Sequence, residues 1–160
     1  MKVIFLDVDG VLNFAVTEAR APSGCLGVAS QPLKNLRKIV QETGARIVLN
    51  STWRREWEFD EEACGKDALY LIGRLKRFGL HIIDKTEYLM GMTEKRGQAV
   101  TEWLARHPHV DQWIVLDDDI FPDYESNGIL PHLVQTNFYT GGLTEKHVQQ
   151  CIDQLGGQTK

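Results

Sequence analysis

The chain is short of cysteine, of long apolar runs and of positive charge, and each shortage removes a class of function. Its three cysteines, Cys25, Cys64 and Cys151, are far apart, odd in number and free of any CxxC pair. Neither a disulfide framework nor a zinc site is expected, and a reducing cytoplasm is the expected compartment. No apolar run approaches the roughly 20 residues that cross a bilayer, and no secretory signal pattern opens the chain. With 18 Lys and Arg against 22 Asp and Glu, the formal net charge is -4. That balance argues against a general polyanion binder, because non-specific nucleic-acid affinity comes from many cationic contacts with phosphates, and no stable nucleic-acid complex is expected. Internal repeats, low-complexity segments and long polar linkers are missing too. The 160 residues, 42% of them hydrophobic, therefore point to one core and a single domain over residues 1–160.

What is present is an alternation of strand-length apolar runs with segments of helical period. Strands are expected at residues 3–6, 46–49, 80–83, 113–116 and 133–135. The first, second and fourth are almost continuously apolar, as parallel strands covered on both faces are. Helices are expected at 31–42, 67–78, from about 93 to before Pro108, and 144–155, with Gly44, Gly79 and Gly156 as stops. Strands alternating with helices predict an α/β fold of three layers, Rossmann-like, around a mainly parallel five-stranded sheet. Residues 14–30 and 53–66 fit neither period. Both follow a strand's carboxyl end, where open α/β sheets place their ligands.

The stretch VIFLDVDGVLN runs a buried strand into Asp7 and Asp9, one residue apart. Asp9-Gly10 between apolar runs also suits a tight hairpin turn. That alternative leaves Asp7 unexplained, since a carboxylate following buried residues needs a partner or a metal. In an extended segment residues two apart share a side, so both carboxylates can address one group, and hard oxygen ligands at a strand tip suit Mg²⁺. WIVLDDDIFPD repeats the arrangement with Asp117, Asp118 and Asp119. A solvated acidic turn is the plain alternative; a cation shared with Asp7 follows if the fourth strand lies beside the first. In RIVLNSTWR the strand ends on Asn50, Ser51 and Thr52, whose amide and hydroxyls can bind phosphoryl oxygens or can simply cap the next helix. Gly10 and Arg54 are further candidates on the phosphate side. In MTEKRGQAV, Lys95 and Arg96 fall near a helix start, where the macrodipole disfavours a cation unless it reaches an anion. A solvated surface pair is the alternative there.

The order of these parts, DxD, Ser/Thr, Lys/Arg and Asp-Asp, resembles the haloacid dehalogenase (HAD) superfamily of phosphohydrolases, from Val3 to about Asp119. The STWR and DDD forms look like its small capless branch, which includes HAD domains of RNA and polynucleotide repair proteins. The resemblance implies a Mg²⁺-dependent phosphoric monoester hydrolase. Asp7 would be the nucleophile that becomes an aspartyl-phosphate, and Asp9 the group that protonates the leaving oxygen and then activates water. The metal would take Asp7, the Asp9 carbonyl, and Asp118 ahead of Asp117. Ser51, with Thr52 as alternate, would hold a phosphoryl oxygen, and Arg96 or Lys95 would neutralise it. Residues 14–30 are too short for a folded cap, so an open site is expected. It would take a large or partner-presented phosphomonoester: a nucleic-acid end, a phosphoprotein, or a small molecule enclosed by a second subunit of a homodimer. Trp53, Arg54, Arg55 and Trp57 offer cations and stacking faces beside it, though the two tryptophans also sit at core spacing. The alternatives are a phosphoacceptor signalling module without turnover and a phosphotransferase of the same superfamily.

Overall fold

In the computed structural model, which describes residues 1–157, five strands form one all-parallel sheet in the order β3-β2-β1-β4-β5. The strands are β1 Lys2–Leu6, β2 Arg46–Leu49, β3 Ile82–Lys85, β4 Gln112–Asp117 and β5 Leu133–Gln135. The helices are α1 Ser30–Thr43, α2 Lys66–Lys76, α3 Arg96–Ala105 and α4 Glu145–Leu155. β1 is central because it is apolar on both faces. Ile4 and Leu6 pack with Leu33, Leu36, Leu71 and Val148 from α1, α2 and α4, while Val3 and Phe5 pack with Val100 and Trp103 from α3. This alternation of period two turns one strand into the middle of a three-layer stack. Phe5 meets Trp103 edge-on, with ring centres 5.4 Å apart. Among the described residues no helix is long and apolar enough to cross a membrane.

Register is what builds the site. Leu6 pairs with Leu49 on one side and with Leu116 on the other. The ladder runs on past the strand ends: Asp7 N–H donates to the Leu116 carbonyl (2.9 Å), Asn50 N–H to that of Leu6 (2.8 Å), and Thr136 N–H to that of Asp117 (3.0 Å). Asp7, Asn50 and Asp117 therefore stand in a row along the carboxyl edge of three adjacent strands. The hairpin alternative for Asp9-Gly10 is ruled out, because β1 has only parallel neighbours.

Two element boundaries differ from expectation. β3 begins at Ile82 rather than at Leu80, because Leu80 closes the turn after α2 through a bond from its N–H to the Leu75 carbonyl (3.0 Å). As an edge strand it needs few apolar residues and extends through Asp84 and Lys85. α3 begins at Arg96 rather than near Thr93. A bridge between Met90 and Glu94, and the bond from Lys95 N–H to the Leu89 carbonyl (2.8 Å), hold the preceding segment as a turn.

Candidate active site

Gly10 turns the chain out of β1 with φ +79°, and an added Cβ there would stand 2.1 Å from Asp118 Oδ2. Only glycine lets the loop after β1 and the tip of β4 approach this closely. The turn is pinned at both backbone groups: Gly10 N–H donates to Asn13 Oδ1 (2.9 Å), and its carbonyl accepts from the Thr136 hydroxyl (2.6 Å). The segment QTNFYTGGLT, residues 135–144, clamps this loop. Thr136 holds Gly10, Leu143 N–H donates to the Val11 carbonyl (2.9 Å), and Ala15 N–H to the Phe138 carbonyl (2.9 Å).

One carboxylate oxygen from each of Asp7, Asp117 and Asp118 lies within 4.8 Å of the other two. Asp7 and Asp117 are buried. Burial first, and then the Asp117 charge, push the Asp7 carboxyl well above the ordinary carboxylate range, against the pull of Arg96. The same two causes push Asp118 up to about 6. Both Asp117 oxygens already accept bonds, Oδ1 from Asp119 N–H (3.0 Å) and Oδ2 from the Tyr124 hydroxyl (2.6 Å) and Arg96 Nη1 (3.2 Å). Asp118 is thus the freer carboxylate of the pair. A knot of hard oxygens that repel one another fits a divalent cation such as Mg²⁺. Asp9 lies outside this carboxylate knot. Its exposed side chain is held by Asn13 Nδ2 (2.9 Å) on Oδ1 and by Trp53 Nε1 (3.2 Å) on Oδ2.

Of the two candidate cations, Arg96 is in the site. Its Nη1 lies 3.3 Å from Asp7 Oδ1 and 3.2 Å from Asp117 Oδ2, and its Nη2 lies 3.0 Å from Glu94 Oε2. Phe121 covers the guanidinium at 4.0 Å. Burial opposes the Arg96 charge, but Asp7, Asp117 and Glu94 outweigh it and raise the pKa further. The helix terminus beneath is compensated by Asp123, whose carboxylate accepts from Gly97 N–H (2.9 Å) and Gln98 N–H (2.8 Å). Lys95 is exposed, its chain laid over Gly91.

β2 brings Asn50 and Ser51 to the same edge. Both are buried. Asn50 Oδ1 accepts from the Thr86 hydroxyl (2.7 Å), which leaves Nδ2 buried with no partner. Ser51 Oγ accepts from Trp53 N–H (3.3 Å). Thr52 is exposed. Arg54, expected to face a substrate, is instead 1% exposed. Its Nη1 donates to the Ser51 carbonyl (2.6 Å) and its Nη2 to Glu94 Oε1 (2.8 Å).

Glu94, which holds Arg54 and Arg96 together, was missed at the sequence level, as were Tyr124, Asn13 and Thr136. For Glu94 the signal was its position directly before the Lys-Arg pair; for Asn13 it was its place four residues after Asp9.

A family model described as "HAD domain in Swiss Army Knife RNA repair proteins" matches residues 3–148. No curated protein and no solved structure matches the chain. The matched span runs from β1 into α4 and takes in every residue of the site just described, so the chain belongs to the HAD domain family of Swiss Army Knife RNA repair proteins, a hydrolase and phosphotransferase type of domain.

Proposed function

We propose that the protein is a Mg²⁺-dependent phosphomonoester hydrolase that works through an aspartyl-phosphate on Asp7, and that its substrate is a phosphorylated RNA end. The observation that carries this reading is the contact of Arg96 with both Asp7 and Asp117, set beside two buried donors, Asn50 Nδ2 and the Ser51 hydroxyl. Arg96 neutralises the phosphoryl dianion and the acyl phosphate, and the two donors take its equatorial oxygens. Asp7 attacks phosphorus as the ester P–O bond breaks, and Asp9 gives its proton to the departing oxygen. Asp9 then takes a proton from the water that cleaves the acyl phosphate, which releases inorganic phosphate and regenerates Asp7. Asp7, Asp118 and the Asp9 carbonyl would hold Mg²⁺, which supplies charge neutralisation between nucleophile and phosphoryl group. The RNA end as substrate draws support from the family's description.

The test is hydrolysis of an aryl phosphate by wild type and Asp7→Asn, with and without Mg²⁺. Activity that requires both Asp7 and Mg²⁺ is expected. Turnover that survives Asp7→Asn removes Asp7 as nucleophile. A stable phosphoprotein without turnover favours a phosphoacceptor module instead.

A further inference from the structure

Two cavities share Arg55 in their lining, and one of them reaches Asp9. The first, about 490 Å³, is lined by Asp9, Thr52, Trp53 and Arg55 among others. The indole of Trp53 is oriented by its bond to Asp9, so a flat apolar face is fixed beside the group that would protonate the leaving oxygen. The second, about 620 Å³, is also bordered by Arg55 and reaches Phe59, Tyr88 and His107. Four cationic residues line it, Arg54, Arg55, Lys85 and Arg106, against Asp84 and Glu87. Three of these cations are already paired, Arg54 with Glu94, Lys85 with Glu58 and Arg106 with Glu87, which leaves Arg55 as the one without an ion pair among the described residues.

Arg55 is the residue the two cavities share. Among the described residues it makes no hydrogen bond or ion pair, and its guanidinium sits over the Tyr88 ring at 4.8 Å. Arg54, by contrast, is buried and bonded to Glu94. Phe59 is 72% exposed and meets Trp57 edge-on at 5.0 Å, while His107 is stacked on Trp103 at 3.7 Å. An unpaired guanidinium between two cavities with aromatic walls matches the repeat of a single strand, in which base, phosphate and base follow one another.

We propose that the leaving group at Asp9 is the terminal nucleotide of a single strand. Its base lies against Trp53, its internucleotide phosphate is taken by Arg55, and the next nucleotide enters the groove at Tyr88 and Phe59. The preferred substrate is then a phosphorylated end at least two nucleotides long, rather than a nucleoside monophosphate. This rests on the phosphatase reading of Asp7 and Asp9 for the placement of the terminal phosphate.

The experiment separates the two. Binding is measured on full-length Asp7→Asn protein, with and without Arg55→Ala or Arg55→Lys, for a dinucleotide with a terminal phosphomonoester and for the matching nucleoside monophosphate. The dinucleotide should bind about tenfold or more tighter than the mononucleotide, as one charge-assisted phosphate contact and a second stacked base imply. Arg55→Ala should bring that ratio close to one, and Arg55→Lys should restore part of it. The slope of log affinity against log salt should become shallower by about 0.7 in Arg55→Ala, the loss of one single-strand phosphate contact. A ratio near one before Arg55 is changed, or a ratio and slope that ignore Arg55, overturns the proposal. So does a phosphopeptide that binds as tightly as the dinucleotide. Hydrolysis of neither compound by wild type, with the binding pattern intact, would instead count against the phosphatase reading alone.

Discussion

Gly10→Ala probes the closest approach in the site. Two costs are separable. The backbone at φ +79° disfavours any side chain by about 1 kcal/mol. The added methyl would also stand 2.1 Å from Asp118 Oδ2 and 2.6 Å from Asp118 Cβ. Because the clash includes Cβ, a new rotamer of Asp118 does not relieve it, and the tip of β4 or the Gly10 turn must move. That turn is held by Thr136 and Asn13, so Asp118 is displaced, at a further cost of about 1 to 3 kcal/mol. Gly24→Ala is the control: its φ is +92°, yet an added Cβ meets nothing within 4 Å. We expect Gly24→Ala to lower Tm by about 2 to 4 °C and Gly10→Ala to lower it more. Only Gly10→Ala should raise half-saturating Mg²⁺, by about tenfold or more, since Mg²⁺ demands near-ideal ligand geometry. Thermal melting and a Mg²⁺ titration of phosphatase activity read both effects. A Gly10→Ala protein with lowered Tm and unchanged Mg²⁺ dependence would refute Asp118 as a metal ligand.

Arg96→Lys should not restore what Arg96 does. A single ammonium cannot reach Glu94 on one side and both Asp7 and Asp117 on the other, as the guanidinium does. Steady-state kinetics should show kcat lowered by about tenfold or more, and denaturant unfolding should show a loss of up to about 3 kcal/mol from the broken buried network. Metal-free protein should lose stability as pH rises from about 4 to 6. Asp118 titrates at about 6 in the folded chain against about 3.9 unfolded. Over that interval the native state binds the extra proton, so its contribution is present below about 3.9 and is gone above about 6. Asp7 shifts in the same direction. Thermal melting in chelator should show the decline, Mg²⁺ should remove it, and Asp118→Asn should reduce it.

The fold was legible because β1, β2 and β4 announce themselves as buried parallel strands, and their shared register then places the ends of all three motifs in one row. The edge strand β3 was misplaced by two residues because edge strands carry little apolar signal. The start of α3 was misjudged because bonds from Lys95 N–H to the Leu89 carbonyl and from Gly91 N–H to the Thr93 carbonyl, invisible as periodicity, delay it. The choice between Lys95 and Arg96 hung on that boundary. The supports of the site were the least legible part. Thr136 reaches Gly10 across 126 positions and Arg54 reaches Glu94 across 40, and no local pattern encodes such pairings.

The most direct test of the account is to quench wild-type protein in acid during turnover and map the covalent phosphoryl group by mass spectrometry of its peptides. The account predicts an acyl phosphate on Asp7 that is absent from Asp7→Asn. An enzyme that turns over with no adduct, or with one on another residue, would contradict it.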